Sequence, residues 1–253
     1  MAADGFLRLC NRLIDLVVML GLLLLGSFGA YALWDNTQVI AGAEEIRAEL
    51  IQLKPETAPG EEAVPGADFS RLRQINPDVR GWIAMEGTGI DFPVLQGQNN
   101  MSYISRDVYG NFSLAGSIFL DSRNDPAFAD GYSLLYGHHM ADGNMFGDLQ
   151  KYKEAAFFRE KTGGQLILPE KTYDLEVAAC LVVSASDRRI FDPETVEPAS
   201  LRALCRSQGL HIREEILKED GKFLALSTCS EEYADARTVV LARMVEREEG
   251  RTE

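Results

Sequence analysis

Between Trp82 and Val245 the chain breaks into short apolar runs: Trp82–Met85, Phe92–Leu95, Gly116–Leu120, Tyr132–Tyr136, Gln165–Leu168, Tyr173–Ser184, Phe223–Thr228 and Thr238–Val245. Runs of this length read as strands, and many strands with few helices restrict the fold to a β-barrel or a sandwich. Only Phe69–Ile75, just before this region, and Lys151–Lys161 and Pro198–Ser207 within it read as helices. The last carries Pro198 at its start and Leu201, Leu204 and Cys205 along one face. The folded part starts near Ala67, and about 180 residues suffice for a single hydrophobic core.

The N-terminus has a different character. Leu16–Leu33 (LVVMLGLLLLGSFGAYAL) holds no charged residue, close to the roughly 20 residues that span a bilayer as a helix. Arg8 and Arg12 precede it and the next basic residue is Arg47, a bias that places the N-terminus in the cytoplasm and the remainder outside. Ala30-Tyr31-Ala32 has the small-x-small form of a signal-peptide cleavage site, but the apolar run is longer than an ordinary signal core. Trp34 suits an interfacial position, so an uncleaved anchor is expected. Ala41–Lys54 follows with Ile46, Leu50 and Leu53 on one helical face, then an acidic connector rich in Pro and Gly, Pro55–Gly66.

The last two strand candidates bracket a cysteine. FLALSTCSEEYADARTVV runs from Phe223 to Val240, with Cys229 at the end of one apolar run and Arg237 opening the next. A guanidinium near a thiol favours thiolate, or holds an oxyanion formed when the thiol attacks a carbonyl. A second strand candidate, within GYSLLYGHHM (Gly131–Met140), ends at His138 and His139, two of the 3 histidines. Histidine is suited to give and take protons near neutral pH. Zinc is the competing use of two histidines, but no CxxC, HExxH or carboxylate–histidine cluster completes a site. No metal or cofactor is expected.

Charge and cysteines narrow the partners. A net charge of −14 argues against a nucleic-acid surface. Of the 4 cysteines, Cys10 precedes the anchor and Cys180 lies in an apolar strand, VAACLVV. Cys205 lies on the helical pattern. A Cys180–Cys205 bridge is compatible with an extracytoplasmic domain, though spacing does not fix its geometry.

LSTC at Leu226–Cys229 with an arginine shortly after, and YGH at Tyr136–His138, resemble the sortases, cysteine transpeptidases of Gram-positive surfaces. GSIFLD (Gly116–Asp121), VLQGQNNMSYISRDVY (Val94–Tyr109) and DGNMF (Asp142–Phe146) are similar to class B sequences. The likeness covers roughly Phe69 to Val245. It implies a closed eight-stranded barrel with N-terminal helices and a helix inserted before the last strand pair. It also implies Cys229 as nucleophile, His138 as acid and base, and Arg237 as oxyanion or substrate stabiliser. Choosing His138 over His139 rests on the GH match alone. Asn100, Ile104, Tyr136 and Ser227 match positions lining the sorting-signal groove, although Ile104 also reads as core and Asn100 as a turn cap. Ser230 stands where some class B members carry an acid. The organisation expected is residues 1–36 cytoplasmic end and anchor, 37–66 helical stalk and linker, 67–248 catalytic domain and 249–253 polar tail. Expected partners are surface or pilin proteins with a C-terminal motif resembling NP-x-T-[NG], and a peptidoglycan-precursor amine or pilin lysine as acceptor. Hydrolytic peptidase and non-catalytic tethered β-domain are the alternatives.

Overall fold

The structure is a computed structural model describing residues 2–55, 67–230 and 232–247, with the side chains of 2–10, 36, 67 and 68 not described. Most of the expected connector and the whole polar tail therefore lie outside the described residues, as does the Cys10 side chain. Contacts divide the chain into two units, Met1–Gly42 and Ala43–Glu253.

The helical segment α1 (Ala2–Ile51) holds the anchor segment in the first unit and opens the second unit from Ala43. It contains an 18-residue window of mean hydropathy 2.2, long and apolar enough to cross a membrane by length and composition. Within the second unit its end contributes Ala43 and Leu50 to the core. The nine-residue α2 (Ala67–Ile75) follows and buries Phe69 and Leu72.

Nine strands follow: β1 (Val79–Met85), β2 (Asp91–Leu95), β3 (Phe119–Leu120), β4 (Tyr132–Tyr136), β5 (Gly163–Ile167), β6 (Thr172–Ser184), β7 (Gly209–Ile212), β8 (Lys222–Cys229) and β9 (Ala236–Glu246). Eight close into a barrel in the order β5-β1-β2-β3-β4-β8-β9-β6, with β6 returning to β5. β6 is long enough to serve two neighbours on one edge: Thr172–Glu176 pairs with β5 and Ala179–Leu181 with β7. β7 is thus a ninth strand outside the ring.

Strand alternation builds the packing. Leu224 and Leu226 point into the barrel with Leu135, Leu166, Val177, Val240 and Ala242. The alternate residues of the same strands, Phe223, Ala225, Val239 and Leu241, face outward into a second layer. Covering that layer are α4 (Arg188–Phe191) and α5 (Pro198–Gln208) through Ile190, Leu201, Leu204 and Cys205. A third cluster, with Trp82, Leu95 and Phe119, lies beneath α2 and the end of α1. Each large side chain so buried contributes about 1.5–3 kcal/mol of transfer free energy.

Several expectations change at the edges. Gly116–Leu120 shortens to the two residues of β3: Gly116 takes a positive φ of 58°, and the Ser117 N–H donates to the Tyr103 carbonyl outside the ladder. Lys151–Lys161 divides into a 3-10 turn, Gly147–Lys153, and α3 (Ala155–Glu160), because Glu154 between them is extended. The short β7, α4 and α6 (Glu214–Leu217) are additions. Cys180 and Cys205 are free buried thiols, the former in the barrel interior and the latter in the outer layer.

Candidate active site

Strand register assembles the candidate catalytic residues. β8 lies between β4, to which it is parallel, and β9, to which it is antiparallel. Tyr136 pairs with Ser227, and the Gly137 N–H donates to the Ser227 carbonyl at 3.2 Å, continuing the ladder past the strand end. Carried one step further, this register sets His138 alongside Cys229. On the other edge Cys229 pairs directly with Arg237. Since Leu224 and Leu226 face the interior, Ser227 and Cys229 take the outer face, together with Tyr136, His138 and Arg237. Gly137, between the outward Tyr136 and His138, turns inward against Phe146, where a Cβ would lie 2.8 Å from the ring. The result is Cys229 and Arg237 paired on adjacent strands about 4.8 Å apart, with His138 set in register two residues past the end of β4.

The outer layer covers the far half of this face and stops short of these three residues. Phe191 at the end of α4 stacks on Tyr136 with centroids 6.4 Å apart, and beyond it Cys229 is exposed while His138 and Arg237 are half-buried. His138 Nε2 lies 2.7 Å from the Ile104 carbonyl. Arg237 Nη1 donates to the carbonyl of Ala236 at 2.9 Å. Gln150 Nε2 donates to the Cys229 carbonyl at 3.0 Å. Among the described residues no hydrogen bond joins thiol, imidazole and guanidinium to one another. His139 instead forms a main-chain bridge with Met145. His211 belongs elsewhere, on β7, with Nε2 2.8 Å from the Lys153 carbonyl. No metal-binding group of three or more His, Cys, Asp or Glu occurs among the described residues.

The family model of the Sortase domain matches residues 83–245, which hold the whole barrel except the first strand residues and the last. The chain belongs to the sortase family. Its class is B: the Sortase B of Staphylococcus aureus is 30% identical over 182 residues, covering 70% of this chain and 74% of that protein. The solved structure of a Streptococcus pyogenes class B sortase involved in pilus biogenesis shares 34% identity at a TM-score of 0.66, over 71% of this chain and 99% of that one. The sortase B of Bacillus anthracis in complex with AAEK1 shares 32% identity at a TM-score of 0.66, over 85% of this chain and 98% of that one. Sortases are cysteine transpeptidases, and an open face ending in an exposed thiol suits that chemistry.

The sortase barrel also brings together a group that sequence reading left unassigned. The Asp121 carboxylate, fully buried, accepts from Tyr136 Oη (2.9 Å) and Asn100 Nδ2 (2.9 Å). The Arg123 guanidinium donates to both its oxygens, Nε to Oδ1 at 2.9 Å and Nη2 to Oδ2 at 2.8 Å. Burial raises the carboxyl pKa, but the donors from Arg123, Tyr136 and Asn100 outweigh it and hold it below the ordinary value. Burial and the neighbouring carboxylate push the Tyr136 hydroxyl up. Arg123 reaches on to the Phe191 carbonyl (2.8 Å) and Asp192 (3.2 Å), tying α4 to the barrel. Two of the four expected groove residues, Asn100 and Tyr136, are therefore fixed by one carboxylate. Ile104 and Tyr136 both pack against the third cluster. Ser227 is 2% exposed and its Oγ has no partner among the described residues.

A second unforeseen group braces the turn after Cys229 in this sortase. Lys153 Nζ donates to Ser230 Oγ at 2.7 Å and also pairs with Glu232. Burial raises the Glu232 pKa, but hydrogen bonds from Lys153 and Ser230 bring it down to about 2. Beyond Asn100 and Tyr136, which the resemblance singled out, the sequence signals for these groups were Asp121 at the end of GSIFLD and Ser230 beside the cysteine.

Proposed function

We propose that this chain is a membrane-anchored class B sortase that cleaves a C-terminal sorting motif through a Cys229 thioester and passes the acyl group to an amine. What supports the reading is the register of β4, β8 and β9, in which Tyr136 pairs with Ser227 and Cys229 with Arg237, so that His138, two residues past the end of β4, comes to the same end of the outer face. In the first step Cys229 Sγ attacks the motif carbonyl, and Arg237 offsets the charge of the tetrahedral oxyanion. His138 delivers a proton to the departing amine, the C–N bond breaks, and the thioester remains. In the second step an amine adds to the thioester with His138 taking its proton, and the amide product leaves with the thiol restored. No oxidant or cofactor enters. Asn100, Ile104, Tyr136 and Ser227 are the groove residues of this reading, Ser227 from a buried position.

The apolar window of α1 supports anchoring, and the basic residues Arg8 and Arg12 before it support a cytoplasmic N-terminus with the barrel outside. Residues 1–36 act as that anchor, 37–66 as stalk and linker, 67–248 as the catalytic domain and 249–253 as tail. The acceptor is a peptidoglycan-precursor amine. A pilin lysine is the second reading, favoured by the likeness to the class B sortase involved in pilus biogenesis.

The test is product analysis with the full chain in detergent, a sorting-motif peptide and either a wall-precursor amine or a pilin lysine peptide. An amide product that needs Cys229 supports the reading, and the better acceptor separates its two forms. Hydrolysed peptide alone at saturating amine would make the chain a cysteine peptidase, and no turnover with no selective thiol labelling would make it a non-catalytic domain.

A further inference from the structure

We propose that the main-chain carbonyl of Ile104 fixes the tautomer of His138, and that Gly116 is the positioning residue that lets the two meet. A carbonyl oxygen only accepts hydrogen bonds, so the 2.7 Å contact requires the proton on Nε2. In the neutral ring Nδ1 is then the nitrogen with a free lone pair. The proton that leaves the thiol, and later reaches the departing amine, travels through Nδ1. This rests on the role proposed above for His138 and adds the atom at which it works. A main-chain group takes the place that a carboxylate holds in other nucleophile–histidine pairs.

The carbonyl is held from several sides. The Ser117 N–H donates to the Tyr103 carbonyl at 3.1 Å and its Oγ to the Arg106 carbonyl at 2.8 Å, so residues 103–106 are stitched to the segment leading into β3. The buried Tyr103 hydroxyl donates to Asp78 at 2.7 Å and contacts Asn76, fixing the same segment from below. Gly116 lies where the two segments cross beside the ring. Its φ is +58°, and a Cβ there would fall 2.5 Å from the Ile104 oxygen, 2.9 Å from the Tyr103 oxygen and 3.0 Å from His138 Cδ2. Conformation and space both exclude a side chain at this point. The residue a Cβ would push is the one that orients the imidazole.

The experiment uses the full chain in detergent, 15N-labelled at histidine, with long-range proton–nitrogen spectra recorded where the imidazoles are neutral. His139→Gln and His211→Gln assign the resonances. The expected result is His138 protonated on Nε2 and unprotonated on Nδ1, and the reverse tautomer in the wild type overturns the proposal whatever the activity. An ester in place of the 104–105 peptide bond weakens the Ile104 acceptor without changing any side chain. It should mix the two tautomers and lower kcat about 3- to 10-fold, the worth of one ordinary hydrogen bond, with KM little changed. Gly116→Ala should lower kcat about 10- to 100-fold by displacing the ring; should it not fold, the ester variant carries the test. Wild-type tautomer and rate in the ester variant also overturn the proposal. Full turnover in His138→Ala would instead remove the functional reading and leave the tautomer finding standing.

Discussion

Cys229 and Arg237 are direct partners in the β8–β9 ladder, at the last residue of one strand and the second of the next. Their side chains share a face with no residue between them, yet Arg237 is bonded to its own neighbour's carbonyl rather than to the thiol. Its Nη1 is therefore held at the rim, with donors left for a substrate.

If those donors act on the oxyanion or the substrate backbone, lysine will not replace them, because it keeps the charge but loses the planar fork. Arg237→Ala is expected to lower turnover by about 10²–10³, and Arg237→Lys to lose most of the same factor. If the arginine acted only through charge on the thiol, lysine would retain most activity and the effect would fade at high salt. Rates of both variants at low and high ionic strength decide between them.

Thiol reactivity should separate the cysteines by burial. Burial pushes both Cys180 and Cys205 up to about 12, while Cys229 is exposed. Near pH 8 a thiol of that kind is about 10⁻⁴ ionised, and the thiolate is the nucleophile. Mild alkylation should modify Cys229 before the other two and abolish acyl transfer, and Cys229→Ala should be inactive but folded. Equal labelling of Cys180, Cys205 and Cys229 on mass mapping would remove Cys229 from the proposed chemistry.

The two adjacent histidines should differ sharply. His138 is set in register with Cys229, whereas the main chain of His139 turns off to pair with Met145. General acid–base catalysis contributes about 10²–10⁴-fold, so His138→Ala should lose that much and His139→Ala little. Steady-state kinetics on both resolve it, and a larger loss at His139 would reverse the assignment.

Period-two hydrophobicity is local information, and it carried most of the fold. Tyr132–Tyr136 was legible to the residue, and β8 and β9 to within one or two. Failures came where distant contacts decide. α4, α6 and β7 span four residues each and exist because the β6–β8 excursion has Ile190, Leu217 and the β6 edge to pack on. Glu154 splits a continuous helical pattern that composition alone does not interrupt. The site divides the same way. Cys229 and Arg237 stand at strand ends and His138 two residues past one, where short motifs are readable. Asp121 is a hub only because Asn100, Arg123 and Tyr136 converge on it, and a carboxylate at the end of an apolar run does not announce its donors.

That hub gives the sharpest stability test. Asp121→Asn preserves shape but removes the charge facing Arg123, and it leaves Tyr136 and Asn100 with a weaker acceptor. The variant should lose about 1–3 kcal/mol at neutral pH, and KM for the motif peptide should rise more than kcat falls if Asn100 and Tyr136 take the groove role proposed for them. The pH dependence follows from the depressed carboxyl pKa. A carboxylate whose folded value lies below its unfolded value, ordinarily about 3.9, stabilises the fold above that unfolded value. The contribution is lost as pH falls through the folded one. The stability gap between wild type and variant should therefore be level from about pH 7 to pH 5 and shrink below about pH 4. Thermal unfolding of both full chains in detergent across that range measures it. A gap equally wide at pH 3 would place the loss in packing or hydrogen-bond geometry and not in the Asp121–Arg123 charge pair.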